Sequence, residues 1–235
     1  MCLVVGGTGS SNGDGSITSA VSVSTKAGFS VVTYSGDSAS SATIGHGLGI
    51  APKAVIVKAR NYAGGWPTQV DGTYGLRLNS SGANDAANGN VFFANTAPTA
   101  SVFTVGGSDE VNDGYNYVAY VFAEIEGYSK IGSFIGNASA NGTFVYTGFR
   151  PAFVMFKNAS DTRNWGLIDT ARSTYNKTLS TLEPNLTNAP NTSDNFDFYS
   201  NGFRPVSTDP GGNGSGNTIV YMAFAENPFK NSNAR

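Results

Sequence analysis

The chain of 235 residues is 40% hydrophobic but only 13% charged, and its formal net charge at pH 7 is −2. Charged residues make up about a quarter of an ordinary soluble protein, so Gly, Ser, Thr and Asn supply much of the polarity here. Nucleic-acid backbones are bound by several clustered cations. This sequence has no basic run, so we expect no nucleic-acid partner.

Single features of the sequence exclude further classes of protein. Cys2 is the one cysteine, so no internal disulfide can form, and no Cys/His cluster is present to hold zinc. No apolar run approaches the roughly 18 residues that a membrane helix needs. The segment MCLVVGG also lacks the basic part and the long apolar part of a secretory signal. We therefore expect no cofactor, no secretory signal and no membrane insertion.

Residues 1–27 are predicted to form an N-terminal connector or arm. Leu3–Val5 is a short apolar piece, and the residues after it, TGSSNGDGS, favour turns. Ile17–Val23 then alternates apolar and polar residues. This alternation predicts either a weak strand or a linker that lies along the first domain.

Residues 28–126 are predicted to form a first unit built of short strands. Pro52 stands at the start of one of them, where the missing N–H costs no ladder hydrogen bond. Alternation and β-branched or aromatic residues predict strands at residues 28–34, 42–44, 53–58, 74–79, 91–93, 101–105 and 115–124.

Residues 127–229 are predicted to form a second unit on the same plan, followed by a polar tail at 230–235. Asn201-Gly202 is a strong hairpin-turn signal. Residues 169–188 are the least strand-like and are expected to contain one short helical turn, whereas 209–216 is expected to be a glycine-rich loop. Strands are predicted at residues 127–135, 143–147, 152–157, 165–168, 196–200, 203–206 and 218–226.

The two units share an internal repeat with a constant offset. Residues 99 positions apart are identical at four landmarks, namely Gly28 and Gly127, Pro52 and Pro151, Lys58 and Lys157, and Trp66 and Trp165. Repeats of short strands with frequent turn signals are typical of sandwiches or barrels. The predicted fold is therefore all-β, with two tandem β-sandwich units.

The residues that could carry catalysis do not form a recognisable motif. His46, the one histidine, lies between two glycines, and we interpret it as part of a turn, since a general base needs a partner within reach. A glycosidase needs two carboxyl groups at a set separation, which the sequence cannot assign among Asp161, Asp169, Asp194 and Asp197. We predict that the protein is not an enzyme.

Loop aromatic residues are the candidates for ligand binding. Tyr62 and Tyr115 lie in Asn-containing loops, and Trp66 and Trp165 recur at the repeat offset. An aromatic ring combines an apolar face with a polar edge, which suits a sugar. The recurrence of the tryptophans also favours packing within each unit, and both interpretations remain open for them.

Charged loop residues add two weaker candidates. Asp109, Glu110 and Asp113 form an acidic loop that suits either solvent or Ca²⁺, although the spacing is not that of an EF-hand. The arginines of the second unit suit either salt bridges or an acidic glycan. Arg163 is the candidate in this group of Arg150, Arg163, Arg172 and Arg204.

Taken together, these segments resemble a known family. The chain from about Asn12 to Phe229 is similar to the repeated β module of tailed-bacteriophage virion and tail-fibre proteins, of the type found in phages of marine and cyanobacterial hosts. The resemblance rests on GFSVVTYSG with IGHGLGIAPKAVIVK, on YNYVAYVFAEIEGYSKIGSFIGN, and on FVYTGFRPAFVMFK, NWGLIDTARSTYN and DFYSNGF. It carries no catalytic residues with it.

The resemblance implies a structural protein of the virion. The first expectation is a tail-fibre or adhesin module that attaches to host-surface glycan, and the alternative is a capsid decoration or cement protein that binds other virion subunits. A glycan depolymerase is the third possibility. The resemblance also implies a homo-oligomer, with a trimer favoured for a fibre.

Overall fold

The computed structural model describes residues 9–72, 74–84 and 91–226, and over these ranges the protein is almost entirely β. This confirms the all-β part of the predicted fold. The chain divides into two compact units, Met1–Leu78 with Asn84–Glu124 and Asn79–Ala83 with Ile125–Arg235. In the described part of the chain, no helix is long and apolar enough to span a membrane.

The first unit contains one large sheet and one small sheet, both antiparallel. Its strands are β1 (Ser10–Asn12), β2 (Ser19–Ser24), β3 (Phe29–Ser35), β4 (Ser41–Gly45), β5 (Ala54–Ala59), β6 (Pro67–Val70), β7 (Tyr74–Arg77), β8 (Val102–Gly106) and β9 (Asn116–Phe122). The 7-stranded sheet has the order β1-β2-β3-β9-β5-β6-β7, and β4 pairs with β8.

The core of the first unit follows from the period-two alternation of its strands. One face of the large sheet contributes Val32 from β3, Val57 from β5 and Ala119 from β9, while Ile44 and Phe103 come from the small sheet. All of these side chains are completely buried. Because both sheets bury their apolar faces in the same core, each stabilises the other.

The segment before Gly28 is part of the first unit. β2 pairs with β3 from Ala20, which lies opposite Thr33, to Ser24, which lies opposite Phe29. Val21 belongs to the core of this unit, as does Ile17. The alternation at residues 17–23 predicts either a weak strand or a linker, and the structure contains a strand there.

The second unit also has two antiparallel sheets. Its strands are β10 (Ser129–Ile135), β11 (Val145–Tyr146), β12 (Pro151–Asn158), β13 (Gly166–Asp169), β14 (Phe196–Tyr199), β15 (Gly202–Pro205) and β16 (Thr218–Ala225). The 4-stranded sheet has the order β10-β16-β12-β13, and the 3-stranded sheet has the order β11-β15-β14. The predicted hairpin turn is confirmed, since Tyr199 pairs with Gly202.

Aromatic residues dominate the core of the second unit. Phe156 and Phe196 stack at a tilt with centroids 4.8 Å apart, and Phe203 packs edge-on against Tyr221 at 5.2 Å. Phe156 and Phe196 come from different sheets of this unit. The contacts therefore hold the two sheets together through the aromatic core.

Three segments differ from their prediction. Residues 91–93 are helical and not a strand, and this turn buries Phe92 and Phe93 together in the core. The expected helical turn within 169–188 is absent from this described segment, where backbone bridges join Leu167 to Leu182 and Thr181 to Asn191. A helical turn forms instead at Pro210–Asn213, because Asp209 caps its first N–H groups and proline suits the first position.

Candidate functional site

Two loops of the first unit bring an aromatic pair together. Tyr62 lies in the loop between β5 and β6, and Tyr115 ends the loop between β8 and β9. Their rings are stacked, with centroids 4.8 Å apart and planes 21° apart. Both side chains pack on the core and stay partly exposed, so the pair forms a rigid aromatic surface at the ends of β5 and β9.

The acidic loop fixes this aromatic pair from the side. The Tyr62 hydroxyl donates a hydrogen bond of 2.6 Å to Asp109 Oδ2. This bond, together with the negative charge of Asp109, raises the pKa of Tyr62 to about 12. Tyr62 is therefore a neutral donor at physiological pH, and its ring has one fixed orientation.

Glu110 fastens the two loops to the sheet. Its Oε1 accepts a hydrogen bond of 2.7 Å from the backbone N–H of Gly65. Its Oε2 lies 3.0 Å from Arg77 Nε and 2.9 Å from Arg77 Nη2 on β7. Both arginine nitrogens converge on one carboxylate oxygen, and such charge-assisted hydrogen bonds are stronger than neutral ones. The loops that carry Tyr62 and Tyr115 are thus preorganised.

Lys58 holds the same loop from its other end. Its Nζ donates a hydrogen bond of 2.8 Å to the carbonyl of Gly64 and lies 6.0 Å from the centroid of the Trp66 ring. Trp66 is partly buried. The repeated lysine and tryptophan therefore act here as supports for the loop that presents Tyr62.

The structure brings some of the sequence-predicted site residues together and not others. Tyr62, Trp66 and Tyr115 belong to the two neighbouring loops of the first unit. Trp165 is only 1% exposed. A ring buried in its own unit offers no face to a ligand, so Trp165 is removed from the candidates for ligand binding. Arg163, in the second unit, forms an exposed salt bridge of 3.1 Å with Asp161.

Asp109, Glu110 and Asp113, the weak calcium candidates, each have a partner within the protein. The three carboxylates point to separate partners, and Asp113 accepts a hydrogen bond of 2.6 Å from the Ser38 hydroxyl. Among the described residues, no group of three His, Cys, Asp or Glu side chains is placed to hold a metal ion. The loop uses its charges to position its neighbours.

His46 is buried, and both of its ring nitrogens have hydrogen-bond partners. Nδ1 accepts a hydrogen bond of 3.2 Å from the N–H of Leu48, so Nε2 carries the proton and donates to the Thr99 carbonyl at 3.2 Å. Burial lowers the pKa of His46. Both ring nitrogens are occupied, as the interpretation of His46 as part of a turn requires.

The candidate glycosidase carboxylates of the second unit are also engaged. Asp161 and Asp169 pair with Arg163 and Arg172, respectively, and Asp197 lies 3.6 Å from Arg204. Asp194 differs, since burial and the adjacent Asp209 raise its pKa to about 7.

Asp194 and Asp209 have a structural task. The N–H of Gly212 donates to Asp194 at 2.9 Å, and the N–H of Gly211 donates to Asp209 at 2.8 Å. The two carboxyl groups together cap the helical turn Pro210–Asn213.

A groove on the first unit was missed by the sequence reasoning. It has a volume of about 430 Å³, and its polar lining includes Ser11, Thr18, Thr33, Ser35, Arg60 and Asn116. The backbone N–H of Arg60 donates to the Asn116 carbonyl at 2.7 Å. Arg60 and Asn116 adjoin Tyr62 and Tyr115 in sequence, and the two tyrosines are not among the residues that line the groove. The alternation of Thr33 and Ser35 on β3 is the signal that could have pointed to it.

The fold and the site define an all-β protein that carries a preorganised aromatic surface on the loops of its first unit. The chain belongs to the family described as "Domain of unknown function (DUF7483)", whose model matches residues 2–228. No curated protein and no solved structure matches the chain.

Proposed function

We propose that this chain is a structural protein of a tailed-phage virion and that its first unit is an adhesin module for host-surface glycan. The resemblance to the virion β module supports the first part. The stacked pair Tyr62 and Tyr115 carries the second part. A rigid aromatic face, held beside carboxylate and amide groups, suits a sugar ring, which has an apolar face and a hydroxyl-rich edge.

The fold proposal that accompanies this function is a tandem repeat of two β-sandwiches. In support, the order β3-β9-β5-β6 in the first unit corresponds to β10-β16-β12-β13 in the second, and the pair β4-β8 corresponds to β11-β15. The repeated lysines also correspond. Lys58 donates to the carbonyl of Gly64, and Lys157 donates to the carbonyl of Asp161, both in the loop that follows the strand.

A glycan microarray probed with the purified full-length chain tests the adhesin proposal. Tyr115→Ala and Tyr62→Ala are expected to weaken binding to any positive glycan by about fivefold, because one aromatic contact of this kind is worth about 1 kcal/mol. Tyr115→Phe, which keeps the ring, should retain binding.

Tyr175→Ala serves as the matched control, because this tyrosine is 85% exposed and lies in the second unit. Thermal unfolding curves for all four variants report whether each one folds. A blank array for the folded wild-type chain would refute the adhesin proposal, as would positive binding that both alanine variants retain.

An exposed apolar patch on the second unit favours a second candidate function, contact with other copies of the chain in the virion. Ile135, Phe144 and Tyr146 are 54%, 45% and 66% exposed. The Thr143 hydroxyl donates to the Ile135 carbonyl at 2.7 Å, which places these residues side by side, and β11 lies at the edge of its sheet. Edge strands with apolar side chains are prone to pair with another chain.

Sedimentation equilibrium tests this second candidate through the mass of the particle. We propose a trimer that Phe144→Ser with Tyr146→Ser converts to monomer, whereas Tyr175→Ser leaves the mass unchanged. A monomeric wild-type chain that also fails to bind emptied capsids would remove this candidate.

A further inference from the structure

Polar residues form most of the lining of the groove on the first unit. Ser11, Thr18, Ser35, Arg60 and Asn116 are all exposed side chains, and they lie around a volume of about 430 Å³. Arg60 is the one charged residue among the residues that line the groove. A groove of this size holds roughly a disaccharide, since ligand sites typically begin at about 300 Å³.

The guanidinium of Arg60 is available for a ligand. Among the described residues it forms no salt bridge and no side-chain hydrogen bond, although Arg77, Arg150, Arg163, Arg172 and Arg204 are all in ion pairs. Arginine presents five N–H donors in a fixed fork and has no acceptor. Arg60 therefore places an unneutralised donor group at the rim of the groove.

Asn116 adds a second donor beside Arg60. Its Oδ1 accepts a hydrogen bond of 2.8 Å from the Ser35 hydroxyl, so its Nδ2 group remains to donate. Its backbone is fixed on both sides, because the N–H donates to Asn61 Oδ1 at 2.8 Å and the carbonyl accepts from Arg60 at 2.7 Å. These two side chains of the groove lining thus offer N–H donors from a rigid frame.

We infer that this groove selects acidic sugars, with Arg60 binding the carboxylate of a uronic-acid residue. The inference rests on the proposed glycan-binding function and names the class of its ligand. A carboxylate accepts the arginine fork in two parallel hydrogen bonds, and the amide of Asn116 and the groove hydroxyls donate to the remaining oxygens. A neutral sugar in the same place leaves the guanidinium without a charged partner.

Isothermal calorimetry with the full-length chain tests this inference, using tetragalacturonate and its methyl ester as matched probes. The ester has the same ring framework but no negative charge. Wild type is expected to bind the free acid about tenfold more tightly than the ester, because hydrogen bonds between charged groups are worth more than 1 kcal/mol. Arg60→Gln should remove this preference, because it deletes the charged guanidinium fork.

Two further variants identify the source of the preference. Arg163→Gln is the control, because Arg163 is an exposed arginine of the second unit, and it should keep the tenfold preference. Arg60→Lys retains the charge but loses the fork, so it should retain only part of the preference. Raising the salt concentration should weaken free-acid binding more than ester binding.

The outcomes separate this inference from the proposed function. Equal binding of acid and ester by wild type overturns the inference while glycan binding stands, and so does a preference that survives in Arg60→Gln. Binding of neither probe also overturns it, whether or not the microarray is positive. A preference lost in Arg163→Gln would assign acid recognition to the second unit.

Discussion

At the scale of single residues, Asp194 is the carboxyl group whose environment differs most from water. Burial and the charge of Asp209 raise its pKa to about 7, above the usual 3.8. Between pH 3.8 and about pH 7, the Asp194 carboxyl group is therefore protonated in the folded state and ionised in the unfolded chain. Stability is greatest below the unfolded pKa and falls as pH rises through the folded pKa. At neutral pH this cap of the turn Pro210–Asn213 carries a partly ionised pair of carboxyl groups.

Asp194→Asn is expected to stabilise the protein at about pH 8 and to have little effect at about pH 3, where the unfolded chain also holds the proton. The amide oxygen keeps the acceptor for Gly212, and the amide nitrogen becomes a donor toward Asp209 without adding charge. Thermal unfolding should give an increase in Tm on the order of 5 °C at the higher pH.

Asp209→Asn provides a comparison for this prediction, because it removes the other charge of the pair and should also reduce the loss of stability above about pH 4. A Tm of Asp194→Asn that falls below wild type at both pH values would contradict the proposed cause.

The two tryptophans show that a repeat in sequence does not predict which side chains are exposed. Trp66 and Trp165 occupy equal positions in the repeat, yet Trp66 is partly exposed and Trp165 is 1% exposed. A repeat in sequence predicts a common scaffold, but the exposure of a side chain depends on the loops that pack around it. The loops differ between the units, so the repeat could not decide which tryptophan faces solvent.

At the scale of elements, two glycines follow β3 and β10 and end these strands in the same way. The N–H of Gly36 donates to the Tyr115 carbonyl at 2.9 Å, and the N–H of Gly136 donates to the Asn217 carbonyl at 2.9 Å. A Cβ at Gly36 would lie 2.0 Å from the Asp113 carbonyl oxygen, and one at Gly136 would lie 2.3 Å from the Gly214 carbonyl oxygen. Both positions need glycine because backbone from a distant loop crosses close to them.

Gly36→Ala is expected to destabilise the protein by about 1–3 kcal/mol, the usual cost of forcing extra atoms into packed structure. It should also loosen the loop that ends in Tyr115. Urea unfolding measures the first effect, and hydrogen exchange of the Tyr115 and Asn116 amides reports the second.

Gly114→Ala is the matched control for this substitution, since nothing lies within 4 Å of a Cβ at that glycine. Its expected change in free energy of unfolding is below about 0.5 kcal/mol. Equal effects of the two substitutions would show that loss of glycine freedom, and not the contact with Asp113, is the cause.

Elements with clear alternation could be predicted from the sequence, whereas those set by distant contacts could not. The strands at β3, β5 and β9 match their predicted ranges closely because Val32, Val57 and Ala119 alternate with outward residues. Residues 91–93 have strong strand propensity but form a helical turn that buries both phenylalanines. Tertiary packing overrides propensity in so short a segment.

The sequence likewise predicts some residues of the candidate site and not others. Loop composition was enough to single out Tyr62 and Tyr115, but their stacking depends on loops 53 positions apart in sequence meeting at one end of the sheet. The groove with Arg60 depends on the pairing of β2 with β3 and of β5 with β9. Local patterns carry no information on such pairings, so Arg60 was not a candidate.

At the scale of the whole molecule, the ionisable groups predict how stability changes with pH. Hydrogen bonds to their carboxylates lower the pKa values of Asp37, Asp113 and Asp161, so stability is lost as pH falls below the usual value of 3.8. Asp194 acts in the opposite sense, and its contribution is lost as pH rises toward about 7. Maximum stability in the acidic range is therefore expected near pH 4, because the first contribution is lost below the usual carboxyl pKa and the second is lost above it.

Lys157 adds a rise on the alkaline side of this profile. Its side chain is fully buried, and its Nζ donates to the carbonyls of Asn158 and Asp161. Burial lowers its pKa to about 8 from the usual 10.5. The folded state thus binds fewer protons than the unfolded state between these values, and the free energy of unfolding rises with pH across that window.

Lys157→Met is expected to abolish the rise between about pH 8 and pH 10 while it leaves the acidic part of the profile unchanged. Urea unfolding at a series of pH values measures this slope, which is independent of any overall loss of stability from the two deleted hydrogen bonds. Lys53→Met is the comparison, because Lys53 is half-exposed and forms a surface ion pair of 3.7 Å with Asp71. If the rise in the free energy of unfolding persists in Lys157→Met, burial of the Lys157 amine is not its cause. Another group would then have a lowered pKa in the folded state.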